Sequence, residues 1–105
     1  MIMAKQLAPI TPGEILRDEF MAEYGLSQNR LALAVHVPVS IINRIVNNKY
    51  RINAELALRL AAYFGTSAQF WMNLQTSYDL RMVERHSGAK VKQEVQPVQL
   101  EPVAS

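Results

Sequence analysis

Cysteine is absent from the 105 residues, which excludes a disulfide framework, a thiolate zinc site and thiol catalysis, and suits the chain to a reducing compartment. Long hydrophobic runs are missing too. Nothing approaches the roughly 18 consecutive apolar residues of a membrane span, and Met1 to Pro12 lacks the apolar stretch of a secretory signal. A soluble, cytoplasmic protein with no membrane partner is expected. The two histidines, His36 and His86, lie far apart with no carboxylate pair beside them, so neither a metal site nor a catalytic centre is expected. No Ser, His and Asp constellation and no glycine-rich phosphate loop appears, so no cofactor and no enzymatic activity are implied. The most telling absence is local. Between Glu23 and Glu55 there is no carboxylate, yet Arg30, Arg44, Lys49 and Arg51 all fall in that interval. The formal net charge of +2 conceals this segregation.

What is present is a chain that is 50% hydrophobic, long enough to bury one core and form one domain. The acid-free interval reads as helix, tight turn, helix: Ser27 to Val35, then His36-Val37-Pro38, then Val39 to Asn47. At about 100° per residue from Val39, the polar residues Ser40, Asn43, Arg44, Asn47 and Asn48 occupy an arc of roughly 40° to 180°. Val39, Ile41, Ile42, Ile45 and Val46 fill the rest. An ordinary wet face carries Lys and Glu; this one offers amides, a hydroxyl and a guanidinium. Asn pairs bidentately with adenine, Arg with guanine, and Ser serves either base. Val39, Ser40, Asn43, Arg44 and Asn47 are therefore the candidate base readers. Gln28 and Arg30 on the preceding helix, with Lys49 and Arg51 beyond the reading helix, are the candidate phosphate contacts.

Helix starts and stops punctuate the rest. Thr11-Pro12-Gly13-Glu14 is a capping box with Pro at the first helical position, and Gly25 is placed to stop a first helix near Tyr24. Asn53 caps a fourth helix that Gly65 ends; Thr66-Ser67-Ala68-Gln69 opens a fifth, expected to run to about Val83. The fold class expected is all-α, a five-helix bundle of the repressor kind containing a helix-turn-helix. Residues 1–10 form an N-terminal arm and residues 11–83 the DNA-binding domain with its dimerisation helix. Residues 84–105 are polar and punctuated by Pro97 and Pro102, and form an extended, flexible tail by composition.

The segments Thr11-Pro12-Gly13-Glu14-Ile15-Leu16, Gly25-Leu26-Ser27-Gln28-Asn29-Arg30-Leu31-Ala32, Ala57 to Ser67 and Phe70-Trp71-Met72-Asn73-Leu74-Gln75 resemble the HigA family of addiction-module antitoxins, within the lambda-repressor-like or Xre group. The resemblance spans residues 9 to about 82, and its Phe-Trp-x-Asn-Leu-Gln segment is more specific than the helix-turn-helix. It implies a homodimer that binds a palindromic double-stranded DNA operator, represses its own operon and neutralises a HigB-type mRNA endonuclease. The family usually has Gly where His36 and Asn48 stand, so both positions are expected at positive φ, which Asn tolerates better than His.

Trp71, Leu74 and Tyr78 share helical spacing; they read either as core or as a two-fold contact between copies. Glu14, Asp18, Glu19 and Glu23 gather on the first helix, as a solvated face or as a dock for a basic toxin. Val91, Val95, Val98 and Leu100 in the tail are alternative toxin anchors. Two other functions fit parts of the pattern: a solitary Xre-type regulator with no toxin, and a protein-binding module that ignores DNA. An acidic protein partner would call for Lys and Arg in place of Asn43 and Asn47, which disfavours the latter.

Overall fold

The computed structural model describes residues Pro9 to Gln99. Every regular element among them is helical: α1 (Pro12–Ile15), running directly into a π-helical segment (Leu16–Met21), then α2 (Gln28–Val35), α3 (Val39–Val46), α4 (Ala54–Phe64) and α5 (Ala68–Glu94). The N-terminal arm is outside the described residues up to Ala8, as is the tail from Leu100 onward.

Side-chain caps set the helix starts. Thr11 Oγ1 accepts the Glu14 N–H at 3.0 Å while Glu14 Oε1 accepts the Thr11 N–H at 2.9 Å, which makes the capping box reciprocal. Ser27, Asn53 and Ser67 accept from the backbone N–H groups of Arg30, Leu56 and Phe70. Each such cap contributes about 1 kcal/mol. Gly25 and Gly65 stand at φ 62° and 78°, the left-handed region that ends a helix with little cost only at Gly.

Two expectations about helix length are corrected. The first helix does not stay α-helical to Tyr24: the Ala22 N–H reaches back five residues to the Arg17 carbonyl at 2.9 Å, and Leu26 to Met21 at 2.8 Å. These wide turns bring the chain round with Met21 buried and Phe20 packed against the core. The fifth helix does not stop at Val83 but continues to Glu94, so the division expected between residues 83 and 84 falls inside a helix. Polarity there does not mean flexibility, because Glu84 to Glu94 contains no proline and is rich in good helix formers. A Lys90–Glu94 pair at 4.0 Å adds slight i,i+4 support. The helix ends just ahead of the residue before Pro97, the position proline disfavours for helix.

The core is built from Leu16, Leu31, Ile42, Ile45, Ile52, Leu60 and Trp71, all essentially without solvent contact. At its α4–α5 end, Phe20 meets Phe64 and Trp71 at ring-centroid distances of 5.0 and 4.8 Å, and Phe70 stands edge-on to Trp71 at 5.0 Å. Such pairs add about 0.5 to 1.5 kcal/mol each beyond area burial. The Trp71 indole N–H donates to Thr66 Oγ1 at 2.7 Å. α1 lies against α3, and Gly13 makes that approach possible. A Cβ on Gly13 would sit 2.0 Å from the Ile45 carbonyl oxygen and 2.9 Å from the Val46 Cα. α3 is thus seated by backbone-to-backbone contact.

Candidate nucleic-acid interface

The turn between α2 and α3 depends on one left-handed residue. His36 adopts φ 59° and ψ 49° and closes α2 through its N–H to the Ala32 carbonyl; Pro38, at φ −62°, leads into α3. Asn48 adopts φ 56° and closes α3, its N–H bound to the Ile45 carbonyl at 2.9 Å. Both positions expected at positive φ are found there, at a modest local cost for the L-residues that occupy them.

α3 presents two faces, as its sequence predicts. Ile42, Ile45 and Val46 are buried, whereas Val39, Ser40, Asn43, Arg44 and Asn47 are exposed on one side. Asn43 Nδ2 donates to Gln28 Oε1 at 3.1 Å, tying α3 to α2 and fixing the side chain outward. Asn47 Nδ2 donates back to the Asn43 carbonyl at 2.9 Å. Each amide spends one hydrogen this way and keeps one N–H and its oxygen, the donor and acceptor that an adenine edge requires.

The cations divide into free and paired. Salt bridges among the described residues join Arg17 to Asp18, Arg51 to Asp79, Arg59 to Glu55 and Lys90 to Glu94, so Arg30, Arg44 and Lys49 keep unpaired charge at the surface around α3. Arg59, whose Nη1 also donates to the Val35 carbonyl at 3.1 Å, is taken up in bracing α4 against α2. Arg51, expected as a free phosphate contact, is bonded through Nη1 to Asp79. Sequence reading did not find that partner, because the two residues meet only through the α5 packing.

The residues proposed for self-association are placed differently from one another. Trp71 is entirely buried within a single chain, so it has no surface to offer a second copy and belongs to the core. Leu74 packs against that core. The Tyr78 hydroxyl accepts from Asn48 Nδ2 at 2.9 Å and so supports the loop after α3. Further on, α5 exposes Leu80, Val83 and Val91, a recurrence of three and eight residues that keeps to one side of a helix, with Met82 exposed off that side. That spacing was legible, but the early helix end hid it.

The acidic group on the first helix is smaller than it looks in sequence. Glu14 is committed to the capping box. Hydrogen bonds from Arg17 at 2.7 and 3.0 Å hold the Asp18 carboxyl below its ordinary range and raise the Arg17 guanidinium.

No helix among the described residues is long and apolar enough to cross a membrane. Residues 17–71 match the helix-turn-helix family model. The solved Pseudomonas aeruginosa antitoxin HigA with the higBA promoter is similar at a TM-score of 0.83 and 46% identity, covering 87% of this chain and 99% of that one. An addiction module antidote protein of a HigA family from Coxiella burnetii is similar at a TM-score of 0.83 and 42% identity, over 88% of this chain and 100% of that one. The virulence-associated protein I of Dichelobacter nodosus is 51% identical over 80 residues, 76% of this chain and 74% of its own. With the family model spanning the acid-free strip, and the HigA likeness extending over α1 and α5 as well, the chain belongs to the HigA family of helix-turn-helix antitoxins.

Proposed function

We propose that this protein is a cytoplasmic DNA-binding antitoxin, a binding protein and not an enzyme, that represses its own operon and neutralises a HigB-type mRNA endonuclease. The observation that carries the DNA half is the exposed arc of α3. Ser40, Asn43 and Arg44 stand outward with hydrogen-bonding capacity to spare, and no carboxylate lies beside them between Glu23 and Glu55. α3 lies in the major groove with Val39, Ser40, Asn43, Arg44 and Asn47 at base edges. Arg30 and Lys49 hold the phosphates on either side, with Gln28 orienting Asn43 from the start of α2 and Arg51 reaching the backbone beyond α3.

Two copies pair through the outer face of α5 at Leu80 and Val83, which sets two reading helices on a palindromic operator. α5 has 27 residues, about 40 Å at 1.5 Å per residue, so most of its distal length stands clear of the bundle and is available to a partner. Toxin capture rests on the family membership.

The decisive experiment is an electrophoretic titration of the operator with Arg44→Ala. Loss of one good bidentate pair should weaken specific binding by about 1 to 3 kcal/mol, roughly 5- to 150-fold, with the thermal midpoint unchanged because Arg44 is exposed. Unchanged operator affinity would remove α3 as the reading element. Growth rescue on co-expression with a HigB-type mRNA endonuclease tests the second half, and failure to rescue would leave a solitary regulator.

A further inference from the structure

Gln75 is the buried polar side chain of the core region, only 4% exposed, and both ends of its amide are used. Its Oε1 accepts the Ile52 N–H at 2.8 Å and its Nε2 donates to Asp79 Oδ1 at 3.0 Å. The other oxygen of Asp79 accepts from Arg51 Nη1. Since Arg51 and Ile52 are adjacent, the bonds close a ring that runs from the loop after α3 into α5 and back. The two charged partners are held unequally. The Asp79 side chain is 32% exposed and anchored by a buried amide, whereas the Arg51 side chain is 67% exposed on a flexible stem. The carboxylate stays with the bundle; the guanidinium can leave.

We propose that Asp79 is an intramolecular stand-in for a DNA phosphate, occupying Arg51 in the free protein so that duplex binding exchanges a carboxylate oxygen for a phosphate oxygen. The proposal rests on the reading of Arg51 as a phosphate contact. Carboxylate and phosphate oxygens are both anionic acceptors for the planar donor fork of the Arg51 guanidinium, so the exchange needs no new geometry from Arg51, only rotation of its stem. Its consequence is a fixed discount on DNA affinity. Because phosphate contacts carry no sequence information, the discount falls on operator and unrelated DNA alike and leaves base choice to α3. The Arg17–Asp18 and Lys90–Glu94 pairs lack this arrangement: each joins near neighbours on one exposed helical surface, and no buried group fixes the acid.

Asp79→Asn tests the exchange, because it removes the charge and keeps an oxygen to accept from Arg51 or Gln75. Operator and an unrelated duplex of equal length should both bind about two- to fivefold more tightly, the size expected on freeing one largely exposed ion pair. The slope of log affinity against log salt should stay near that of the parent chain, because Arg51 reaches one phosphate in both complexes. Arg51→Ala alone should flatten that slope, and the double variant should match Arg51→Ala, since without the guanidinium there is nothing for Asp79 to hold. If Arg51→Ala flattens the slope while Asp79→Asn leaves binding unchanged or weaker, Arg51 remains a phosphate contact and the exchange is wrong. A gain from Asp79→Asn that persists in the double variant also overturns it, reassigning the effect to the general field of the charge. If Arg51→Ala leaves the slope unchanged in both backgrounds, the phosphate contact itself fails, and the exchange with it.

Discussion

Gly13→Ala is the sharpest test of how α3 is held. In most helical positions this substitution stabilises, by up to about 1 kcal/mol, so a sequence-based expectation points upward. The structure reverses the sign. The added Cβ would meet the Ile45 carbonyl oxygen at 2.0 Å and the Ile45 carbonyl carbon at 2.9 Å, and these are backbone atoms that no rotamer change can move aside. Ordinary contact begins near 3.4 Å, so α1 and α3 must part by more than an ångström, against a core that has little slack. Overpacking of this kind costs about 1 to 3 kcal/mol and occasionally more. A clash with main chain belongs at the upper end, near 2 to 3 kcal/mol, and for a domain of this size corresponds to a fall in thermal midpoint of roughly 8 to 24 °C.

Circular dichroism melting of the two proteins reads this directly. A second readout follows from what the contact supports: a displacement of α3 on that scale exceeds the tolerance of about 0.5 Å for a placed set of binding side chains. Operator affinity, measured well below the midpoint, should therefore fall further than affinity for unrelated DNA, which depends on phosphates. A midpoint equal to or above that of the parent chain would refute the reasoning, because it would mean that α1 and α3 can separate at no cost.

Lys49→Ala and Arg30→Ala should each weaken operator and unrelated duplex alike and flatten the log-log salt slope by roughly 0.9; a selective loss on the operator would make the residue a base reader. Trp71→Ala should lower stability by about 3 to 5 kcal/mol, seen in denaturant melting. Replacing Leu80 and Val83 together by Ser should leave the monomer's stability within about 0.5 kcal/mol and weaken self-association in sedimentation. The opposite pattern would return Trp71 to the interface and take the outer face of α5 out of it.

Local signals were legible in the sequence wherever a residue's role is set within a few positions of it. The caps at Thr11, Ser27, Asn53 and Ser67 are of this kind, as are the glycine stops, the turn at His36 and the division of α3 into a buried isoleucine face and a polar face. What escaped was decided across the bundle. Gly13 reads as a member of a capping box, and nothing near it in sequence announces that Ile45 passes against its Cα. Arg51 reads as a free cation because Asp79, its partner, is 28 positions away. Trp71 could be core or contact on spacing alone, and only packing against Phe20 and Phe64 decides for core. The end of α5 is missed for a different reason: beyond Val83 its apolar residues are few and widely spaced, so the polar stretch imitates a tail until propensity and the absence of proline are weighed.

These non-local contacts share a direction. α1 seats α3 through Gly13, α2 holds Asn43 through Gln28, and α5 grips the loop after α3 through Gln75, Tyr78 and Asp79. An eight-residue helix is too short to hold its own geometry in water, so α3 keeps its geometry only where neighbours fix it. The neighbour that fixes its exit, α5, is also the one that extends well beyond the bundle with an uncovered apolar face. Any partner that shifts the first turns of α5 must therefore act on Asn48 to Ile52. Gln75, Tyr78 and Asp79 are thus the positions at which a partner on α5 can alter how α3 is held.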